Sequence, residues 1–127
     1  MKIDRATPVL FVERVEPTRD FFGKLGFTVM FDVPDGEHLG FVGMEKDGVQ
    51  VMVETRGNAA EGAAMQEFTR KARGAVVFVE VDNLELVIGA LATEKVLVER
   101  HETFYGADEI SFLEPGGNVV TFAKFKA

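Results

Sequence analysis

Thr7-Pro8-Val9-Leu10-Phe11-Val12, followed after a short interval by Phe21-Phe22-Gly23-Lys24-Leu25-Gly26-Phe27-Thr28-Val29-Met30-Phe31, decides the fold. The first run is apolar and rich in Val and Phe, which reads as a strand. The segment from Val15 to Leu25 reads as a helix whose start is marked by Glu16-Pro17-Thr18, since proline is tolerated in a first turn. Gly26 stands where a helix C-cap would turn the chain into a second strand. The rest of the sequence repeats this plan. Sliding the chain by the 69 positions that separate Thr7 from Val76 pairs Val15 with Leu84, Phe27 with Val96 and Val29 with Val98. Without a gap it also pairs Met44 with Leu113, Glu45 with Glu114 and Gly48 with Gly117. A repeat of this length in two copies indicates duplicated half-domains packed on each other.

Each half reads as β-α-β-β-β. In the first, a strand from Arg5 to Val12 and the helix precede strands over Phe27 to Val33, Leu39 to Met44 and Val49 to Thr55. Pro34-Asp35-Gly36 and Asp47-Gly48 supply the turns, Asp-Gly being suited to positive backbone angles. In the second, strand Ala75 to Val81, helix Leu84 to Thr93, and strands Val96 to Thr103, Asp108 to Leu113 and Asn118 to Phe125 follow in the same order, with Glu114-Pro115-Gly116-Gly117 as the last turn. The spacing of Met65, Phe68 and Ala72 predicts that a short helix near Ala63 to Phe68 packs through one apolar stripe. The expected organisation is a single α+β domain over residues 1–127. It has a first module at 5–56, a linker with a short helix at 57–74 and a second module at 75–127, the two modules forming a cupped mixed sheet.

With 127 residues and 46% hydrophobic content, the chain is long enough to bury roughly two thirds of its unfolded surface. It has no cysteine, which removes disulfides, thiol nucleophiles and thiolate metal sites. The charged Met1 to Arg5 segment has no apolar signal core behind it, and no apolar run approaches the ~20 residues of a membrane span. A soluble cytoplasmic protein is expected, without membrane partners. The net charge of −7 and pI near 4.8 argue against a nucleic-acid partner, which would need a basic stripe. Arg70, Lys71 and Arg73 do cluster, and read as the positive end of a helix near its C-terminus.

The run Val9-Leu10-Phe11-Val12 followed by Phe21-Phe22-Gly23-Lys24-Leu25-Gly26-Phe27 resembles the first module of the vicinal oxygen chelate superfamily, whose usual form is a strand, an aromatic pair and then Leu-Gly-Phe. Phe112-Leu113-Glu114-Pro115-Gly116-Gly117-Asn118 is similar to the Asp-Pro-Asp-Gly turn before that family's last strand. The resemblance spans nearly the whole chain. It implies the glyoxalase/bleomycin-resistance fold, a central cavity, and a homodimer in which modules are sometimes exchanged between chains. The superfamily contains glyoxalase I, extradiol dioxygenases, fosfomycin-resistance enzymes, bleomycin-binding proteins and methylmalonyl-CoA epimerases.

Enzymes of the superfamily hold a divalent metal with His or Glu from the first and last strands of each module. The resemblance carries those positions onto Thr7, Met52, Val76 and Thr121. Two hydroxyls, a thioether and an isopropyl group are not the imidazoles and carboxylates that such an ion needs. No metal and no other cofactor is therefore expected. A different placement of the fourth strand would bring Gln50 or Glu54 to the cavity instead, and Glu80 shares a face with Val76 and Phe78. His38, beside a turn, and His101, near a strand end, read as exposed or rim residues. Ser111, the only serine, has no adjacent base and no nucleophile setting.

Strand parity assigns Val9, Phe11, Met52, Phe78 and Thr121 to the cavity lining together with Thr7 and Val76, and Phe31, Phe41, His101 and Tyr105 join them. Such a lining suits a planar or amphipathic organic molecule anchored by one or two hydrogen bonds, and also a core filled by its own side chains. The leading expectation is a metal-independent protein of the bleomycin-resistance type that sequesters a hydrophobic or aromatic small molecule. The acidic charge would suit a cationic one. This reading leans away from an enzyme. Two alternatives stay open: a metal-dependent lyase, isomerase or dioxygenase of the glyoxalase type, and an interaction module without a ligand.

Overall fold

The computed structural model describes residues 1–126. Eight strands and three helices follow one another as β1 (Val9–Val12), α1 (Val15–Lys24), β2 (Thr28–Asp35), β3 (His38–Lys46), β4 (Val49–Thr55), α2 (Ala63–Arg70), β5 (Val76–Glu80), α3 (Leu84–Ala90), β6 (Lys95–Glu102), β7 (Ala107–Leu113) and β8 (Val119–Phe125). They form two four-stranded mixed sheets, ordered β1-β4-β3-β2 and β5-β8-β7-β6. In each, the first strand runs parallel to the last and the other pairs are antiparallel. This is an α+β architecture of two β-α-β-β-β units, the glyoxalase/bleomycin-resistance fold.

The parallel ladders have one register. Val9 pairs with Met52 in the first sheet and Phe78 with Thr121 in the second, which preserves the 69-residue spacing on both strands. The antiparallel ladders depart from it. Gly43 lies opposite Met52, but Ser111 lies opposite Thr121, so β3 and β7 correspond at a spacing one residue shorter. Met44 therefore stands over Phe112 and Lys46 over Glu114, not over Leu113 and Glu45 as the gapless shift had it. The cause is the turn: Asp47 and Gly48 alone join β3 to β4, with φ of 52° and 79°, whereas Pro115, Gly116 and Gly117 separate Glu114 from Asn118.

The turn from α1 into β2 shows why the Leu-Gly-Phe sequence occurs there. Gly26 has φ of +98°, a conformation costly for a residue with a Cβ. Its amide donates to the Gly23 carbonyl at 3.0 Å, and the Phe27 amide donates to the Phe22 carbonyl at 3.2 Å. These two bonds satisfy helix-end carbonyls in the Schellman pattern. The accompanying apolar contact is made by the Phe22 and Phe27 rings, edge to face with centroids 5.4 Å apart.

Alternation along the strands divides each sheet into two faces. Leu10, Val12, Val42, Met44, Val51 and Val53 of the first sheet, and Ile110, Phe112, Val120 and Phe122 of the second, are buried. They share one core with Val15, Phe21 and Phe22 of α1 and Leu84, Val87 and Leu91 on and beyond α3. Buried Glu114 ties the halves together: its carboxylate accepts from Thr18 Oγ1 at 2.7 Å, the Gly116 amide at 2.8 Å, the Asn118 amide at 3.0 Å and Asn118 Nδ2 at 2.8 Å.

Several local expectations change. The first strand begins at Val9, not Arg5, because Pro8 has no N–H to give the ladder, although its carbonyl accepts from the Met52 amide at 3.0 Å. Pro34 lies within β2, an edge strand, at a register shift. The apolar stripe of α2 is not its docking face: Phe68 is 66% exposed and Met65 is exposed too. The helix is held instead by Thr69, fully buried, whose hydroxyl accepts from the Gly57 amide at 2.8 Å. At its C-terminal end, Arg56 Nε and Arg73 Nη1 donate to the Ala72 carbonyl at 2.9 and 3.2 Å. Helix α3 stops at Ala90 rather than Thr93. No helix among the described residues is long and apolar enough to cross a membrane.

Candidate functional site

The strand faces turned away from the shared core hold the candidate residues. On the first sheet Val9 and Phe11 of β1, Met52 of β4 and Phe41 of β3 share one parity, and Phe31 of β2 is brought over by its pairing with Gly43. The Phe31 and Phe41 rings stack with centroids 5.7 Å apart and planes 22° from parallel. Gly43 makes the stack possible. A Cβ there would stand 2.2 Å from Phe31 Cε1, inside any tolerable contact distance. Thr7 is half-buried just ahead of β1.

Glu54 completes this face. It lies between Phe11 and Phe41 in the ladder, and its residue is 3% exposed. Burial pushes its carboxyl up to about 7, and a hydrogen bond and like charge from Glu61, just ahead of α2, push in the same direction. Near neutral pH the group is therefore poised between acid and carboxylate, a donor or an anion at the edge of an aromatic surface. No change of strand register was needed to bring it there: with a period of two, Gln50, Met52 and Glu54 all share a face.

The second sheet gives the counterpart. Val76 and Phe78 of β5 and Thr121 of β8 lie on one face with Ser111 and Glu109 of β7. Val76 is 68% exposed and Phe78 is exposed. Phe125 stands 6.3 Å from Phe78 and 6.1 Å from Tyr105, which meets Phe104 edge to face at 5.0 Å. The Tyr105 hydroxyl donates to the buried Glu109 carboxylate, and this bond, with some burial and the nearby charge, raises the phenol above its ordinary value. His101 is exposed on β6 opposite Glu109, with its Nδ1 donating to the Glu99 carbonyl at 2.9 Å. His38 belongs to neither cluster. It sits at the start of β3, 3.2 Å from Arg14 Nη2.

Within one chain the candidates thus form two groups, Thr7, Val9, Phe11, Phe31, Phe41 and Met52 on one sheet and Val76, Phe78, His101, Tyr105 and Thr121 on the other. Glu109, Ser111 and Phe125 escaped the sequence reading. Their signal was parity along β7 and β8, obscured for Glu109 and Ser111 by the one-residue offset between β3 and β7.

The positions onto which the resemblance carries the superfamily's divalent-metal ligands do not fit such an ion. Thr7, Met52, Val76 and Thr121 supply neither imidazole nor carboxylate, and the Thr121 hydroxyl is already bonded to Ser111 Oγ at 2.8 Å. Among the described residues no three His, Asp or Glu side chains gather into a metal-binding group.

A family model for the glyoxalase/bleomycin resistance protein/dioxygenase superfamily matches residues 2–122. No curated protein matches the sequence significantly. Among solved structures, TioX from Micromonospora sp. ML1 is similar over 97% of this chain and 99% of its own, with 15% identity and a TM-score of 0.77. A bleomycin resistance determinant encoded on the transposon Tn5 covers 98% of this chain and 100% of its own at 13% identity and a TM-score of 0.70. A bleomycin-binding protein complexed with bleomycin gives the same coverage and identity with a TM-score of 0.68. At these identities the likeness is one of fold.

Proposed function

Because the chain belongs to the glyoxalase/bleomycin resistance protein/dioxygenase superfamily, we propose that it is a metal-independent small-molecule-binding protein. It sequesters a hydrophobic or aromatic compound, cationic compounds included. In this reading the site is completed in a homodimer, where the aromatic face of the first sheet in one protomer meets that of the second sheet in its partner, with or without exchange of modules.

The observation that supports this most is the exposure of aromatic side chains on both faces. Phe31 and Phe78, with Phe104 and Tyr105, are left open to solvent while the opposite faces fill one core. Contiguous apolar surface of this kind marks a binding or association surface. Stacked phenylalanines bind planar molecules through area and ring geometry, and Glu54 adds a single ionisable anchor. The net charge of −7 raises the local concentration of cations around such a groove. Two solved neighbours are named for bleomycin, which makes bleomycin a reasonable first ligand to try alongside simpler aromatic cations.

The test is thermal unfolding and calorimetry with bleomycin, ethidium, acridine orange and a neutral polycyclic compound. Binding to the native state at a hundredfold excess over Kd adds about 2.7 kcal/mol, readily visible as a rise in Tm. Phe41→Ala should remove most of that rise, and incubation with zinc, nickel, manganese or ferrous iron should leave less than one ion per chain. Absence of stabilisation by every compound, or a stoichiometric ion whose removal abolishes turnover, would overturn the proposal.

A further inference from the structure

A cavity of about 440 Å³ lies on the helix side of the sheets, between the two halves and away from both aromatic faces. Phe27 and Val49 from the first half and Val79, Val87 and Phe122 from the second form much of its apolar wall. Leu86, 71% exposed, stands at its mouth. Lys46, Asp47 and Asp82 supply the charge around it.

Its origin lies in a difference between the turns of the two repeats. In the second half the longer Glu114–Asn118 turn presses onto the start of α1. Glu114 bonds to Thr18, and a Cβ on Gly116 would stand 2.4 Å from Val12 Cγ1 and 2.6 Å from Thr18 Oγ1. The repeat register places Val81 over Val12, Val87 over Thr18 and Lys46 over Glu114. At that second place the Asp47-Gly48 turn is a residue shorter, and Val87 offers no hydroxyl. Lys46 turns aside, its Nζ 3.3 Å from Asp47 Oδ2 and 3.4 Å from where a Cβ on Gly26 would stand. The contact that closes one end of the molecule is missing at the other, and the space left is lined by side chains of the core faces.

We propose that this cavity between the halves is a second ligand site, for a small amphiphile with an apolar body and an amine head. Its volume falls within the ~300–1,000 Å³ of small-molecule sites, and its wall suits a hydrocarbon or aryl group. The head is fixed by charge. Asp47 and Asp82 stand against the single cation of Lys46, which Asp47 neutralises, so Asp82 leaves the rim favouring an ammonium over a carboxylate. Asn83 leaves no offsetting anion preference at the Leu86 amide, which its side chain already accepts from at 3.1 Å. The site shares no lining residue with the aromatic clusters, so it fills or stays empty independently of them.

Amide chemical-shift mapping of the 15N-labelled protein tests this with three probes of one shape: 4-phenylbutylamine, 4-phenylbutanol and 4-phenylbutyrate. The amine should produce saturable shifts at Val49, Val81, Val87 and Ala90. It should bind about fivefold more tightly than the alcohol, as expected of a partly exposed charge pair, and the butyrate most weakly. Asp82→Asn should erase the preference for the amine. Ala90→Phe, at an exposed position on the rim, should weaken the amine about tenfold while leaving the remaining spectrum in place, and Val87→Phe should act alike from the floor. Equal affinities for the three probes, indifference to Ala90→Phe, or shifts confined to Phe41, Met52 and Thr121 would overturn this site. The last result would leave the aromatic-face reading standing, and shifts at the cavity alone would support this site without bearing on that reading.

Discussion

Glu114 and Glu54 are both buried carboxyl groups, and their surroundings give them opposite duties. Glu114 meets four donors, so both of its oxygens are satisfied and it joins α1 to the last turn. Replacing it by Ala strands those donors and should cost about 3 kcal/mol, whereas Thr18→Val removes one bond and should cost about 1 kcal/mol. Urea unfolding of both variants checks the ratio. Glu54 has a carboxyl neighbour instead of donors, and its folded pKa lies near 7 against an ordinary 4.5. An acid whose pKa is raised by folding binds more proton in the native state. Its contribution is fully present below about pH 4.5 and is lost as pH rises through about 7. Wild type should therefore lose on the order of 2 kcal/mol between pH 4.5 and pH 8 through this group, and Glu54→Gln should flatten that slope. A variant with the same slope as wild type would show that Glu54 does not carry it.

At the scale of elements, α1 and its exit determine how the first half closes. Val15, Thr18, Phe21 and Phe22 occupy the buried side of the helix, and the two rings meet edge to face at 5.3 Å. Phe22 also holds the Phe27 contact that fixes the chain reversal. Phe22→Ala should cost about 3–5 kcal/mol. Gly26→Ala forces a Cβ into a positive-φ position and should cost about 1–2 kcal/mol. Both are read by denaturant midpoints, and a near-neutral Gly26→Ala would mean the turn can open without it. Much of this was legible in sequence, because Gly-Phe after an amphipathic run has a local mechanism. The docking of α2 was not. Its Met65 and Phe68 stripe predicted an apolar seat, but Gly57 and Thr69 meet through a hydrogen bond that no periodicity announces.

For the whole molecule, the arrangement of faces bears on assembly. One side of each sheet is spent on the common core, and the other is left with Phe31, Val33, Phe78 and Val98 exposed. We expect a symmetric dimer that covers these faces, measured as twice the chain mass by light scattering at micromolar concentration, with Phe78→Glu shifting it toward monomer. A wild-type monomer under those conditions would count against the completed site. The sequence by itself determined the two repeated units, their helices and turns, the correspondence of Met52 with Thr121 across the halves, and the poor metal donor set. These follow from local periodicity, turn chemistry and residue type, which act over a few positions. Only the tertiary structure decided the rest. It set the one-residue offset between β3 and β7, the seating of Glu114 against Thr18, the burial of Glu54 beside Glu61 and the cavity beside Asp47-Gly48. Each depends on groups far apart in the chain being packed to within a few ångströms, and a pattern of apolar and polar letters does not encode that distance.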